Sequence, residues 1–249
     1  MNLALDTRVN SIASSVRAAS DNKYIMLLKI YEIIQKIVYY DEDELNAVSE
    51  GLTLNPASHD AYGALINRLA VCDGFSAAFA LLAQKLGFEC MIVSGKSTCT
   101  SSSFSEHAWN IIKIDDKYYH IDITWDSRKF MDFNEMSFDY FCLGDNEIAQ
   151  DHSWDRKNTP ACTDYSMSYF HQNGLYINSL EHLAFCIKTL AGANSNVFRF
   201  KLAGNINLPD NEGDYLVQLI LNEVVKPGMS KKASYVWNEK LRCFSARLT

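Results

Sequence analysis

The apolar positions change period along the chain, and each change marks an element. Over residues 21–40, DNKYIMLLKIYEIIQKIVYY, Ile30, Ile33, Ile34 and Ile37 recur at helical spacing with Lys29, Glu32 and Lys36 between them. This predicts an amphipathic helix with Asp21 as its N-cap. From Asp41 to Asp60 the pattern gives way to acidic residues, Gly51, Asn55 and Pro56, which read as a connecting loop. A helical stripe returns at Cys72: Phe75, Phe79, Leu82 and Leu86 share one face, and Gly87 is a C-terminal stop. The run CMIVSG, 90–95, then reads as a strand, and the small polar stretch 96–106 as a mobile loop that gates whatever follows it.

Residues 107–126, HAWNIIKIDDKYYHIDITWD, read as a hairpin with strands at 107–114 and 117–124 around Asp115-Asp116. FDYFCLG, 138–144, suggests one more strand. Beyond a polar stretch to about 175, EHLAFCIKTLAG reads as a helix, and NVFRFKLAGN and DYLVQLILNEVV read as strands. A turn and another strand close the chain. The predicted organisation is therefore a core over residues 1–175 with an N-terminal helical region, and a small α+β extension over 176–249. The fold class is α+β, with the Cys72 helix packed on an antiparallel sheet.

Composition narrows the function. Apolar residues are 48% and charged residues 21% of 249, the balance of a globular protein, and a net charge of −7 excludes a basic nucleic-acid or membrane-surface binder. No signal peptide and no run of about 18 apolar residues is visible, so a cytoplasmic location is expected. Seven cysteines are scattered without a C-x-x-C pair, so neither a disulfide framework, a metal site nor a cofactor is expected.

The hairpin carries the chemistry. With a two-residue turn, facing residues sum to 231, so His107 faces Thr124 and Trp109 faces Asp122. Directly opposed residues point to one side of the sheet, which makes His107 and Asp122 diagonal neighbours within hydrogen-bond reach. An acid in the middle of YYHIDITW is costly to bury without a partner. Cys72, at a helix N-terminus, has unpaired N–H groups and the positive end of the dipole beside it. These favour the thiolate, and the N–H of Cys72 is a candidate oxyanion donor. Trp109 and Trp125 are candidate walls of a cleft, although packing is the commoner use of such residues. His120 shares the Asp122 face and is expected to be partly solvated. His152, His171 and His182 receive no role.

The stretches AVCDGFSAAFALLAQKLGFECMIVSG, EHAWNIIKIDDKYYHIDITWD and IIQKIVYYD resemble the transglutaminase-like superfamily, whose thiol enzymes share a papain-like core. The resemblance is strong over residues 20–126 and weaker to about 175. It implies Cys72 as nucleophile, His107 as general base and Asp122 as the acid orienting it. It implies acyl transfer at a thiol on a protein or peptide amide, most simply as a cysteine peptidase or amidase. A glutamine-directed transglutaminase and an inactive binding module are the alternatives. The resemblance leaves the substrate and the role of 176–249 open.

Overall fold

A computed structural model describes residues 3–98, 105–133, 136–225 and 232–249. The chain forms two compact units, 1–167 and 168–249, and the division falls a few residues before the change of sequence character near 176.

The first unit opens with helices α1 (Leu3–Ala19) and α2 (Lys23–Ile37). Leu27, Ile30, Tyr31 and Ile34 form the buried stripe of α2. Its cap is Asn22, not Asp21: the Asn22 side chain accepts from the Ile25 N–H at 3.1 Å. The predicted loop 41–60 contains a helix, α3 (Glu42–Ser49), and a 3-10 turn at Pro56–His59. The acidic residues of that stretch start α3: Asp41 caps it through the Glu44 N–H, and Glu42, Asp43 and Glu44 meet the positive end of its dipole. A two-residue parallel pair, β1 (Tyr39–Tyr40) with β2 (Leu69–Ala70), ties the end of α2 to the approach of α4 (Cys72–Lys85).

Helix α4 packs on a five-stranded antiparallel sheet of β3 (Glu89–Ser97), β4 (Ser105–Ile114), β5 (Lys117–Ile121), β6 (Phe141–Leu143) and β7 (His152–Trp154). The spatial order is β6-β5-β4-β3-β7. Phe75, Phe79 and Leu82 are fully buried on the expected face of α4. Ile114 pairs with Lys117 and Asn110 with Ile121, which is the register that the turn predicts. The second strand is shorter than predicted. It ends at Ile121, and helix α5 (Ile123–Phe133) begins where the sequence pattern continues the strand over 122–124, so His107 has no strand partner in Thr124. The cause is Asp122, whose Oδ1 accepts from the N–H groups of Thr124 at 3.0 Å and Trp125 at 3.3 Å, capping α5. A short α6 (Asp145–Ile148) follows β6. Of the loop expected over 96–106, Lys96 and Ser97 close β3 and Ser105 and Glu106 open β4; positions 99–104 lie outside the described residues.

The second unit holds α7 (Tyr169–Gln172), β8 (Tyr176–Ile177), α8 (Leu180–Gly192), β9 (Val197–Leu202), α9 (Glu212–Val224), β10 (Ala233–Asn238) and β11 (Cys243–Leu248). Its sheet runs β10-β11-β9-β8, with only β8–β9 parallel. The run DYLVQLILNEVV is helix α9, not a strand. Leu216, Val217 and Ile220 bury one helical face of it against Phe198, Phe200 and Phe244. A short aliphatic run satisfies either period, and burial on one side decides it. Among the described residues no helix is long and apolar enough to cross a membrane.

Candidate active site

Cys72 is the first residue of α4, and the local sequence explains why the chain turns there. Gly74 is required by close packing: a Cβ on it would stand 2.3 Å from the Ser58 carbonyl oxygen and 2.8 Å from Ala70 Cβ. The 3-10 turn is itself fixed, since the Val71 N–H donates to the Ser58 carbonyl at 3.0 Å and Ser58 Oγ donates to Asp41 Oδ2 at 2.5 Å. The N-cap residue Val71 has no side chain that could cap α4, no other cap is seen among the described residues, and the first bond back along the helix runs from the Phe75 N–H to Val71 O. The N–H groups of its first turn therefore have no side-chain acceptor competing for them.

Among the described cysteines, Cys72 alone is partly exposed; Cys90, Cys142, Cys162, Cys186 and Cys243 are buried. Burial pushes the thiols of Cys90 and Cys162 up to about 12, which leaves them inert near neutrality. Asp73, the next residue, is exposed and pairs with His59 Nδ1 at 3.0 Å, while His59 Nε2 pairs with the buried Glu44 at 3.0 Å.

On the sheet, His107 Nε2 lies 2.7 Å from Asp122 Oδ2. The ring is buried, which works against its charge. The charge and hydrogen bond of Asp122 outweigh that, together with a hydrogen bond and charge interaction from Cys72, and hold His107 up at about 10. Burial works against the Asp122 carboxylate too, yet His107 and His152 hold it well below the usual carboxylate range. Since Nε2 faces Asp122, the ring nitrogen left for the sulfur of Cys72 is Nδ1.

The two tryptophans differ. Trp109 is 1% exposed and cannot wall a cleft; its ring stacks on His107 at 6.0 Å and 21°. Its Nε1–H donates to His120 Nδ1 at 3.0 Å, and His120 Nε2 donates to Asp145 Oδ1 at 2.9 Å. His120 is thus fully buried rather than solvated, and burial lowers its pKa so that it stays neutral. Trp125 is partly exposed and sits 6.2 Å from the His107 ring, so it can border the site.

His152, to which the sequence pattern gives no role, joins the site. Its Nε2 lies 3.0 Å from Asp122 Oδ2, the oxygen that also faces His107, and its Nδ1 lies 2.6 Å from Asp151 Oδ1. No local signal marks it: β7 is three residues long, and only its pairing with the far edge of β3 carries His152 to the site.

Two groups of described residues bring metal-type donors within 4.8 Å of one another: His107, Asp122 and His152, and His120, Asp145 and Cys162. In both, hydrogen bonds within the group already engage the histidine nitrogens and carboxylates, and in the second the tautomer of His120 is set by Trp109. Neither leaves a polar atom that only an ion would satisfy.

Residues 10–123 match the family model described as the Transglutaminase-like superfamily. A human protein named Kyphoscoliosis peptidase is 32% identical over 102 residues, covering 35% of this chain and 15% of that protein. The mouse protein of the same name is 28% identical over 126 residues, covering 42% of this chain and 19% of its own length. The chain thus spans less than a fifth of the curated relatives it matches. A solved structure titled "Crystal structure of a TGase" overlays 49% of this chain and 32% of its own, with 21% identity and a TM-score of 0.43.

Proposed function

We propose that this chain, whose residues 10–123 are a transglutaminase-like segment, performs thiol-dependent acyl transfer on a protein or peptide amide, with water as the acceptor. The observation that carries the reading is the juxtaposition of a partly exposed cysteine at an uncapped helix start with a buried histidine hydrogen-bonded to a buried aspartate. The reaction needs a nucleophile, a group that takes and returns its proton, and a group that fixes that one's tautomer.

The steps follow from this placement. The Cys72 proton passes to His107 Nδ1, and the sulfur attacks the amide carbonyl carbon. The oxyanion meets the N–H groups at the start of α4, where the helix dipole favours negative charge. As the C–N bond breaks, His107 returns its proton to the departing amine, leaving an acyl-thioester. Water then attacks that thioester while His107 takes its proton, and the thiolate leaves with the acid product released. Asp122, ionised throughout, keeps Nε2 protonated, so that Nδ1 is the nitrogen that exchanges a proton with the sulfur, the amine and water.

The test is mass spectrometry of peptide and protein amides incubated with the chain, with and without an added primary amine. Cleavage or a deamidation of about 1 Da that vanishes in Cys72→Ala is the expected result. Amine incorporation would instead make it a cross-linking enzyme. If iodoacetamide at neutral pH fails to modify Cys72 ahead of the buried cysteines and no product forms, the chain is a binding module.

A further inference from the structure

Acyl transfer as described uses one histidine, yet the structure places two on the same carboxylate oxygen. Both ring nitrogens of His152 face carboxylates, Asp122 at 3.0 Å and Asp151 at 2.6 Å. Burial opposes a charge on this ring, yet hydrogen bonds to Asp122 and Asp151 raise its pKa, and two ionised carboxylates, which only accept, would make both nitrogens donors and His152 an imidazolium. Its side chain is fully buried, as are those of its two partners. The other oxygen of Asp151 accepts from the Tyr140 hydroxyl at 2.6 Å. The Trp109 and Trp125 rings each lie 5.0 Å from the His152 ring, and the His107 ring lies 5.4 Å away.

A buried ion pair of this kind costs desolvation, and an apolar pair of the same volume is often no less stable. Asp151 and His152 together add no net charge, so they are not needed to neutralise Asp122. What they add is direction. Oδ1 of Asp122 is fixed by two N–H groups of α5, and Oδ2 is fixed from two sides by the histidines. A lone carboxylate beside His107 would also hold the His107 proton too tightly for a group that must return it to a leaving amine.

We propose that His152, clamped between Asp122 and Asp151, is a positioning residue of the thiol site: it fixes Asp122 Oδ2 in line with His107 and tempers that carboxylate's pull on the His107 proton. The inference rests on the acyl-transfer reading for its purpose, but not for its test. The charged or titratable groups facing the two rings are Asp122, Asp151, Cys72, the Tyr140 phenol and His120, which burial keeps neutral.

The experiment is NMR titration of histidine 15N-labelled protein, free of substrate, which reads each imidazole directly. In the wild type, His152 should show two protonated nitrogens at pH 7. In His152→Gln a positive charge 5.4 Å from His107 is removed, so the His107 midpoint should move up by about 2 pH units at an effective dielectric near 20. The double variant H152Q/D151N avoids stranding Asp151 and should move it the same way. A neutral His152 in the wild type overturns the proposal, as does a His107 midpoint that stays or falls in the folded variants. A neutral histidine with a purely structural role would change the melting temperature and leave that midpoint alone. Because no turnover is needed, this result stands apart from whether any amide is cleaved.

Discussion

The two oxygens of Asp122 have different duties. Oδ1 starts helix α5 by accepting from the Thr124 and Trp125 N–H groups, and Oδ2 receives His107 and His152. One side chain therefore ends a strand, begins a helix and sets a ring's tautomer. Asp122→Asn keeps the size but offers only one acceptor oxygen for both duties. Its NH2 would face two histidine N–H donors or displace the helix cap. In serine triads such an exchange costs on the order of 10⁴ in rate, but a thiol needs less help from its base. We expect a kcat loss of about 10²–10³-fold. An imidazolium without its carboxylate is also a weaker partner for S⁻, so the pH profile of Cys72 alkylation should move to higher pH. An unchanged profile together with an unchanged rate would leave Asp122 only its capping role.

At the scale of elements, the site depends on how closely strands meet. Gly95 in β3 pairs with His107 on one side and Trp154 on the other, so it stands between the strands that bear His107 and His152. A Cβ there would lie 2.4 Å from the Ser153 carbonyl oxygen and 2.6 Å from the Trp109 ring. Gly95→Ala must therefore push β7 away or tilt Trp109, which stacks on His107. Overpacking of this kind costs about 1–3 kcal/mol. A lowered urea midpoint, with faster amide exchange in β7 than in β5, is the expected outcome. A midpoint equal to wild type would mean that β7 follows the added methyl without strain. The same reasoning explains Gly74, where the Ser58 carbonyl leaves no room beside the first turn of α4.

Across the whole molecule, ionisable groups are unevenly distributed. Asp41, Glu44, Asp122, Asp145 and Asp164 are all held below their ordinary values, and all lie in the first unit. Burial opposes each of these charges, but hydrogen bonds and neighbouring cations outweigh it. A carboxylate whose folded pKa is depressed stabilises the fold above its unfolded value, near 4, and loses that contribution as pH falls through the folded value. Buried His120, lowered and neutral, adds to the same trend below about pH 6.5. In the second unit Glu181, an exposed residue, is the one described carboxylate so lowered. Hydrogen exchange at pH values of about 7, 4 and 3 should therefore show the first unit losing protection before the second; the reverse order would contradict this. His107, raised to about 10, has the opposite sign, and its contribution is lost as pH rises through 10.

Local physics makes part of this legible from residues alone. A helix starting at Cys72, a two-residue turn at Asp115-Asp116 and the pairing register that follows are set by period and turn chemistry within a few residues. Continued past the pairing of Asn110 with Ile121, that register predicts His107 and Asp122 on one face, and the two side chains meet although the strand has already ended. The same locality hides what depends on distant contacts. Asp122 reads as mid-strand because its cap bonds are invisible in a run of β-branched and aromatic neighbours. DYLVQLILNEVV fits two periods, and only the buried face against Phe198, Phe200 and Phe244 makes it a helix. His120 reads as solvated because nothing near it in sequence names Trp109 and Asp145 as its partners. His152 lies 30 residues from Asp122 on a three-residue edge strand. Its role comes entirely from the pairing of β7 with β3, a long-range contact that leaves no periodic trace in the chain.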